Sequence, residues 1–553
     1  MWFDKQVLFP RVVRSLLWTI VIQESYLSLS FLFLKIIAWN PVLGFLDGKS
    51  CIDWLFYLIH WKTIVYRSIL CLTTIAFGVL NKHFHSAEKH ICSTRLEKIS
   101  IALSPRHVQH FIITMLLGGL ASHCCVKLFQ IFDPEKQSFL SSFLILENDF
   151  EHMFAVQHGC YTAIMFNLKY FICYLYIVKF HVNQESKMLQ IKRQAFDLFK
   201  DSAICVLKGL HWFYILSVFL GLLFENQLIS LGIKSSESES YFSLLHSLIN
   251  LKLFLVTFIT GVIMFFNWSL YLVIFNVFVA ERHVFPIEIP LKSDKSKSLS
   301  AALGSSESDI LKYLAVLDLR LLSQQDAERR KQIFSISHPG GHPHQWKAVA
   351  DLCISSLKQF VSKLQEYSVV AAAAKEPKMN YNKAVSFVLE EQKSYFEPPK
   401  EPPTFSETVI ASLRGWPSVA YFLDELPSTK IRKLFASSQP LIWMIDALGY
   451  LVSASYSEDK FGVIQQTLPE IIRLLLDIKM AEEKLPIDLV GFRTHVKDPY
   501  GRYDHIHQRV SLKTSVNAAL CRIADTFKND INGIYLPEEY LRYFQRYLNR
   551  RNV

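Results

Sequence analysis

F-L-V-T-F-I-T-G-V-I-M-F-F-N-W-S-L-Y-L-V-I-F, from Phe254 to Phe275, contains no charged side chain. A helix needs about 20 mostly apolar residues to cross the roughly 30 Å hydrocarbon core of a bilayer. The stretch therefore predicts a transmembrane helix, spanning about 248–276 once its flanks are included. Five further stretches meet the same test, at about 15–38, 58–80, 108–131, 153–178 and 203–224. The second is the weakest, because Lys62 and Arg67 sit in its first half. The first is interrupted by Glu24, Ser28 and Ser30, and no small-residue cleavage site follows it, so it reads as a span rather than a signal peptide.

Composition divides the chain the same way. Its 553 residues are 51% apolar and carry a net charge of +10. Residues 1–280 hold 23 basic and 17 acidic side chains, whereas residues 281–553 hold 36 and 32, an ordinary soluble density. A disulfide scaffold, a disordered chain and a uniformly soluble enzyme are excluded. The expected fold is all-α: a six-span transmembrane helical bundle over 1–280, followed by a mostly helical cytoplasmic domain. That domain divides into a helical region at 281–370, a linker at 371–404 and a C-terminal helical domain at 405–553.

Loop charges set the orientation, because cytoplasmic loops are enriched in Lys and Arg. The N-terminal tail carries Lys5, Arg11 and Arg14. The second loop carries Lys82, Lys89, Arg95, Lys98 and Arg106, and the fourth Lys179, Lys187, Lys192, Arg193 and Lys200. The intervening loops hold one lysine each: Lys49, Lys136 and Lys234. Both termini are thus expected in the cytoplasm. The excess positive charge is chiefly a topological signal, with attraction to anionic lipid as a secondary effect. The tail is too evenly charged to be a nucleic-acid reader.

Ionisable residues at membrane depth are functional candidates by default. Lys35, Lys127, Lys208 and Lys252 lie close enough to span ends to snorkel. Glu24 and Lys169 are deeper and could pair across the first and fourth helices. The alternative to a structural role is a polytopic transporter or membrane-embedded enzyme of the endomembrane system using that pair. Neither midplane carboxylate clusters nor matched broken helices support it, and the histidines are expected to scatter over loops. No C-x-x-C, phosphate loop, G-x-S-x-G or H-E-x-x-H occurs, so no catalytic, metal or cofactor residue is assigned. Of ten cysteines only Cys51 clearly faces the lumen.

In the tail, apolar spacing predicts helices from Asp309 through Leu321, over about 345–370, and over Leu441–Ala454, Val463–Lys479, Val510–Phe527 and Leu536–Asn549. Two prolines and two glycines between Ile333 and Trp346 enforce a loop. His338, His342 and His344 lie within it and could ligate a metal; alternatively the loop ties two helices together through Trp346. The candidate partner-binding residues are His342, His344 and Trp346 in this loop, and Tyr540, Phe544 and Tyr547 in the last helix, where they form a docking or packing face.

Several stretches carry a resemblance to a known family. They are E-R-H-V-F-P (Glu281–Pro286), K-Y-L-A-V-L-D-L-R-L-L-S-Q (Lys312–Gln324), F-S-I-S-H-P-G-G-H-P-H-Q-W (Phe334–Trp346), A-L-G-Y-L-V-S-A-S-Y-S-E-D-K-F-G-V-I-Q-Q-T-L-P (Ala447–Pro469) and S-L-K-T (Ser511–Thr514). With the six expected spans, they resemble the transmembrane nucleoporin family Ndc-one over nearly the whole chain. The resemblance implies a structural subunit of the nuclear pore complex in the nuclear envelope, serving nucleocytoplasmic transport of protein and mRNA. It implies help in pore assembly, anchoring of the soluble scaffold, and a tail that recruits the WD-repeat nucleoporin aladin and linker nucleoporins of the inner ring. Residence in the endoplasmic reticulum is a further implication. Vertebrate members carry a long Ser/Pro-rich linker, whereas Ala371–Thr404 is short, which puts binding through that linker in question. Only two Phe-Gly dipeptides occur, Phe77-Gly78 and Phe461-Gly462, which makes the chain a poor permeability-barrier component.

Overall fold

The computed structural model describes residues 3–39, 56–132, 149–230, 251–287, 298–305, 308–336, 342–375, 421–424, 429–485, 504–530 and 533–548. The named elements are helices, and the β-pairing among the described residues is one isolated bridge between Ser86 and Ile177. The chain separates into two compact units. One comprises 1–87 with 104–281, the other 88–103 with 282–553.

The first unit is built from α1 (Phe9–Trp39), α2 (Trp61–Lys82), α4 (Pro105–Phe132), α5 (Asp149–Ile172), α6 (Lys187–Ser230) and α7 (Leu251–Val279). Among the described residues, four of these helices contain stretches long and apolar enough to cross a membrane: Trp61–Lys82, Pro105–Ile131, Lys187–Phe219 and Leu251–Val279. The expectation of six spans is reduced to four on that test. α1 and α5 do not meet that test over their described residues. The expected fifth span, 203–224, is part of a 44-residue helix of about 66 Å, about twice the bilayer core.

α7 is the centre of this unit, with four-fifths of its apolar window buried against its neighbours. Phe77 of α2 stacks on Trp268 of α7 at 4.5 Å, and Phe166 of α5 meets the same indole edge-on. Between α4 and α5 the contact is made by small residues. A Cβ on Gly118 would stand 2.6 Å from the Cβ of Ala163 and 2.7 Å from the Gly159 carbonyl oxygen. Close backbone approach of this kind is how helices associate where lipid removes the hydrophobic drive between them.

The second unit contains α3 (Arg95–Ala102), α8 (Leu299–Leu303), α9 (Asp309–Gln325), α10 (Ala327–Phe334), α11 (His344–Lys375), α12 (Thr429–Ala436), α13 (Ser438–Glu458), α14 (Leu468–Glu483), α15 (Asp504–Thr526) and α16 (Glu538–Leu548). The α9 and α13 helices form its core through Leu314, Leu317, Leu322, Trp443, Leu448 and Leu451, all buried. α14 starts five residues later than its apolar pattern suggested. Gly462, at φ +64°, and the Asp459 carboxylate instead hold Val463–Thr467 in turns. The main departure from the expected domains is residues 88–103. They belong with 282–553 although they lie between α2 and α4 in sequence. The expected linker 371–404 lies outside the described residues apart from the last turn of α11.

Candidate functional site

Two polar clusters stand out, one in each unit. In the helical bundle, the Asn267 side-chain amide donates to Gln23 Oε1 at 2.8 Å and to Thr74 Oγ1 at 2.7 Å, joining α7 to α1 and α2. All three residues are buried. At Glu24, next to Gln23 on α1, Arg67 Nε donates to Glu24 Oε2 at 2.7 Å and its Nη2 donates to Ser28 Oγ at 2.7 Å. The Cys71 thiol donates to Glu24 Oε1 at 3.2 Å. Glu24 is therefore paired with Arg67, not with Lys169 as expected. Lys169 donates to Cys205 Sγ at 3.3 Å and lies over the Phe265 ring. A charged pair supported by further hydrogen bonds to Ser28 and Cys71 can persist in low dielectric, and here it ties α1 to α2.

The histidines do not all lie in loops. His107, His110 and His123 are on α4 and His152 and His158 on α5, with His110 and His158 buried. His110 Nε2 pairs with Asn81 Oδ1 at 3.1 Å, a tie between α4 and α2. No group of three or more metal-ligating side chains exists among the described residues, and their cysteines are free thiols. Cys51 and His338 lie outside them.

The second cluster anchors the segment that follows α7. Asp318, wholly buried on α9, accepts two hydrogen bonds from Arg329 of α10, at 2.9 and 2.8 Å, and one from the Phe285 backbone N–H at 3.0 Å. Arg329 also donates to the Phe285 carbonyl at 2.6 Å. The E-R-H-V-F-P and D-L-R motifs thus meet at one buried charge pair. Further out, Arg320 pairs with Asp446 at 2.9 Å, and Arg330 grips Glu458 through two bonds of 2.9 and 2.7 Å. Burial raises the Asp446 carboxyl above its ordinary value, against the opposing influence of Arg320. These pairs clamp α9 and α10 to α13.

The sequence-predicted partner residues divide sharply. Trp346 is buried, and its indole N–H donates to Thr467 Oγ1 at 3.0 Å. His342, just before α11, and His344, its first residue, precede Trp346 and are exposed. On α16, Phe544 and Tyr547 are buried; the Tyr547 hydroxyl donates to Asn517 at 2.7 Å and that of Tyr540 to Asp477 at 2.8 Å. The aromatic face of α16 thus faces this unit's own helices, and of the three residues predicted in the loop, His342 and His344 are presented to solvent.

Sequence reasoning missed the Asp318–Arg329 pair. Its signal was a carboxylate among Leu314, Leu317 and Leu321 on an apolar helix face, a position that demands a partner. It also missed the attachment of 88–103. There Arg95 lies 4.0 Å over the Tyr421 ring and donates to the Tyr421 carbonyl at 2.7 Å, while Lys433 contacts Ser93. Nothing local in the sequence marks a contact that spans more than 300 positions.

A family model described as the nucleoporin protein Ndc1-Nup matches residues 6–545. The nucleoporin NDC1 of Mus musculus is 23% identical over 98% of this chain and 97% of its own length. The human NDC1 matches to the same extent. Nucleoporin Ndc1 of Drosophila melanogaster is 21% identical over 98% of this chain and 97% of its own length.

Proposed function

The chain belongs to the Ndc1-Nup family of nucleoporins, structural proteins of the nuclear pore membrane rather than enzymes, and from that premise we propose that it anchors the pore scaffold in the nuclear envelope. In this reading all six long helices of the bundle are membrane-embedded, both termini face the cytoplasmic and pore side, and the second unit is the recruiting tail. Its partners are soluble nucleoporins, including the WD-repeat protein aladin and linker nucleoporins of the inner ring, and through them it supports pore assembly. His342 and His344 are the exposed part of the proposed partner surface. Residence in the endoplasmic reticulum precedes arrival at pores.

The observation that carries the reading is the match along nearly the whole chain to a family of pore proteins. The division into an apolar helical bundle and a separate helical unit supports it. The second inter-span loop and the tail fold into one unit, which supports a shared side of the membrane. Localisation tests the reading: a tagged chain is expected in a punctate nuclear rim coincident with pores, and a diffuse reticular or plasma-membrane pattern overturns it. Replacing Glu24 and Arg67 together by Leu separates this from a transport role. Unchanged rim localisation and pore number are expected.

A further inference from the structure

α3 is closed at both ends by its own residues. The Thr94 hydroxyl accepts the Glu97 N–H at 3.1 Å and the Glu97 carboxylate accepts the Ser93 N–H at 2.5 Å, a reciprocal capping box. The Leu103 N–H closes the last turn on the Ile99 carbonyl at 2.9 Å. A helix this short is marginal in water and normally takes its stability from burying an apolar face. Yet none of the eight residues Arg95–Ala102 is buried.

The uncovered residues are ordered. Leu96, Ile99 and Leu103 are 49%, 41% and 69% exposed, and their spacing of three and four puts them on one face. Single exposed apolar residues need no explanation, but an apolar stripe along a helix does. The helix's one acid, Glu97, lies off the stripe and is engaged in the cap. Lys98 is exposed, as is Arg106 just beyond the helix.

The place of α3 in the chain indicates what covers the stripe. The last backbone bond of α3 ends at Leu103, and the first of α4 starts from the next residue, the Ser104 carbonyl accepting the Val108 N–H at 3.0 Å. Pro105–Ile131 is long and apolar enough to cross a membrane, and its exposed apolar residues begin with Val108, Ile112 and Ile113. Leu103 stands five residues before Val108, so a fully extended chain would separate them by at most about 18 Å. The stripe is thereby tethered to the headgroup layer in which α4 begins. Leu and Ile on one face with Lys and Arg beside them is the composition of helices that lie in that layer.

We propose that α3 is an interfacial membrane-binding helix. Leu96, Ile99 and Leu103 enter the boundary between headgroups and acyl chains of the leaflet in which α4 begins. Lys98 and Arg106 meet the phosphates of its anionic lipids, the charge that cytoplasmic leaflets carry. Outside the stripe, Arg95 holds Tyr421 and Ser93 contacts Lys433, so the same short helix has a lipid face and a face for the tail. The proposal rests on α4 crossing the membrane and needs no nucleoporin partner.

The test replaces Ile99, or Lys98 as an off-stripe control, by the photocrosslinker benzoylphenylalanine in the full chain. Both positions are exposed, so neither probe displaces a packed side chain. The chains are irradiated in nanodiscs of phosphatidylcholine, with and without phosphatidylserine, and in isolated nuclear envelopes, and the adducts are identified by mass. Lipid adducts at Ile99 at least fivefold above those at Lys98 are expected in every membrane. Phosphatidylserine should be over-represented among them relative to its share of the nanodisc, and Lys98→Gln with Arg106→Gln should remove that excess. Equal lipid labelling at the two positions overturns the proposal. Adducts of Ile99 mainly with protein, whether this chain or another, overturn it as well, because they show that the stripe is covered by a protein surface.

Discussion

Asp318 and Arg329 form a two-bonded ion pair in which the carboxylate is wholly buried and the guanidinium nearly so. The same two side chains hold both the N–H and the carbonyl of Phe285, so one charge pair fixes the backbone where the chain leaves α7 and enters the second unit. Removing Arg329 leaves the buried Asp318 carboxylate with only the Phe285 N–H and the longer 3.8 Å contact to Arg282, and breaking a buried pair in this way costs up to about 3–5 kcal/mol. Arg329→Ala is therefore expected to destabilise the second unit by that amount and to expose the segment around Pro286 to protease. Asp318→Leu combined with Arg329→Met removes the unpaired charge but leaves the Phe285 N–H and carbonyl without these partners, so it should recover only part of the loss. Limited proteolysis and thermal melts of the full chain in detergent read both effects.

The interface between α4 and α5 makes a contrasting prediction. A Cβ on Gly159 would collide with the Ser122 side chain and stand 2.7 Å from the Gly118 carbonyl oxygen. Gly159→Leu should force these helices apart at a cost of about 1–3 kcal/mol. Gly209→Ala, whose nearest atoms are at 3.8 and 3.9 Å, should leave the melt unchanged. Equal sensitivity at both positions would contradict the close packing of α4 on α5.

Cys353 of α11 is buried, and burial alone pushes its thiol from 9.0 to about 12. The folded state thus keeps this proton in a range where the unfolded chain has released it. A group with a raised folded pKa contributes stability that is lost as pH rises, here from about 9 towards 12. The slope approaches about 1.4 kcal/mol per pH unit at most. Comparing full-chain melts between pH 8 and 10 should show the wild type losing stability faster than Cys353→Ala. The native thiol should also resist maleimide at pH 8 until the chain unfolds.

Much of the architecture was legible in sequence because length and apolar content set helix existence. Phe254–Phe275 needed no tertiary information to read as a buried helix, and α7 proved the most enclosed of the bundle. Partner choice was less accessible. Depth along the spans suggests a Glu24–Lys169 pair, but depth says nothing about azimuth, and Arg67 on the neighbouring α2 faces Glu24. In the tail, Trp346, Phe544 and Tyr547 were recognised as aromatic anchors. Whether such residues face solvent or their own core depends on elements far along the chain: Thr467 for Trp346 and Asn517 for Tyr547.

The attachment of residues 88–103 to the second unit leads to the last prediction. α3 follows α2 in the chain, yet its surroundings are Tyr421, Lys433 and Asp504: Arg95 covers the Tyr421 ring, Ser93 contacts Lys433, and Lys89 lies 3.6 Å from Asp504. Exposed contacts of this kind are individually weak, so breaking one by Arg95→Glu should cost about 1 kcal/mol or less. Their value is geometric, because both partners must occupy the same side of a membrane. Ser93→Cys and Lys433→Cys, introduced together, should be joined by a short bis-maleimide in intact nuclear envelopes. Each single variant sets the background from native thiols such as Cys92. Cross-linking in the double variant above both backgrounds is the expected outcome. Efficient single labelling without cross-linking would place loop and tail apart and remove the support for a cytoplasmic tail.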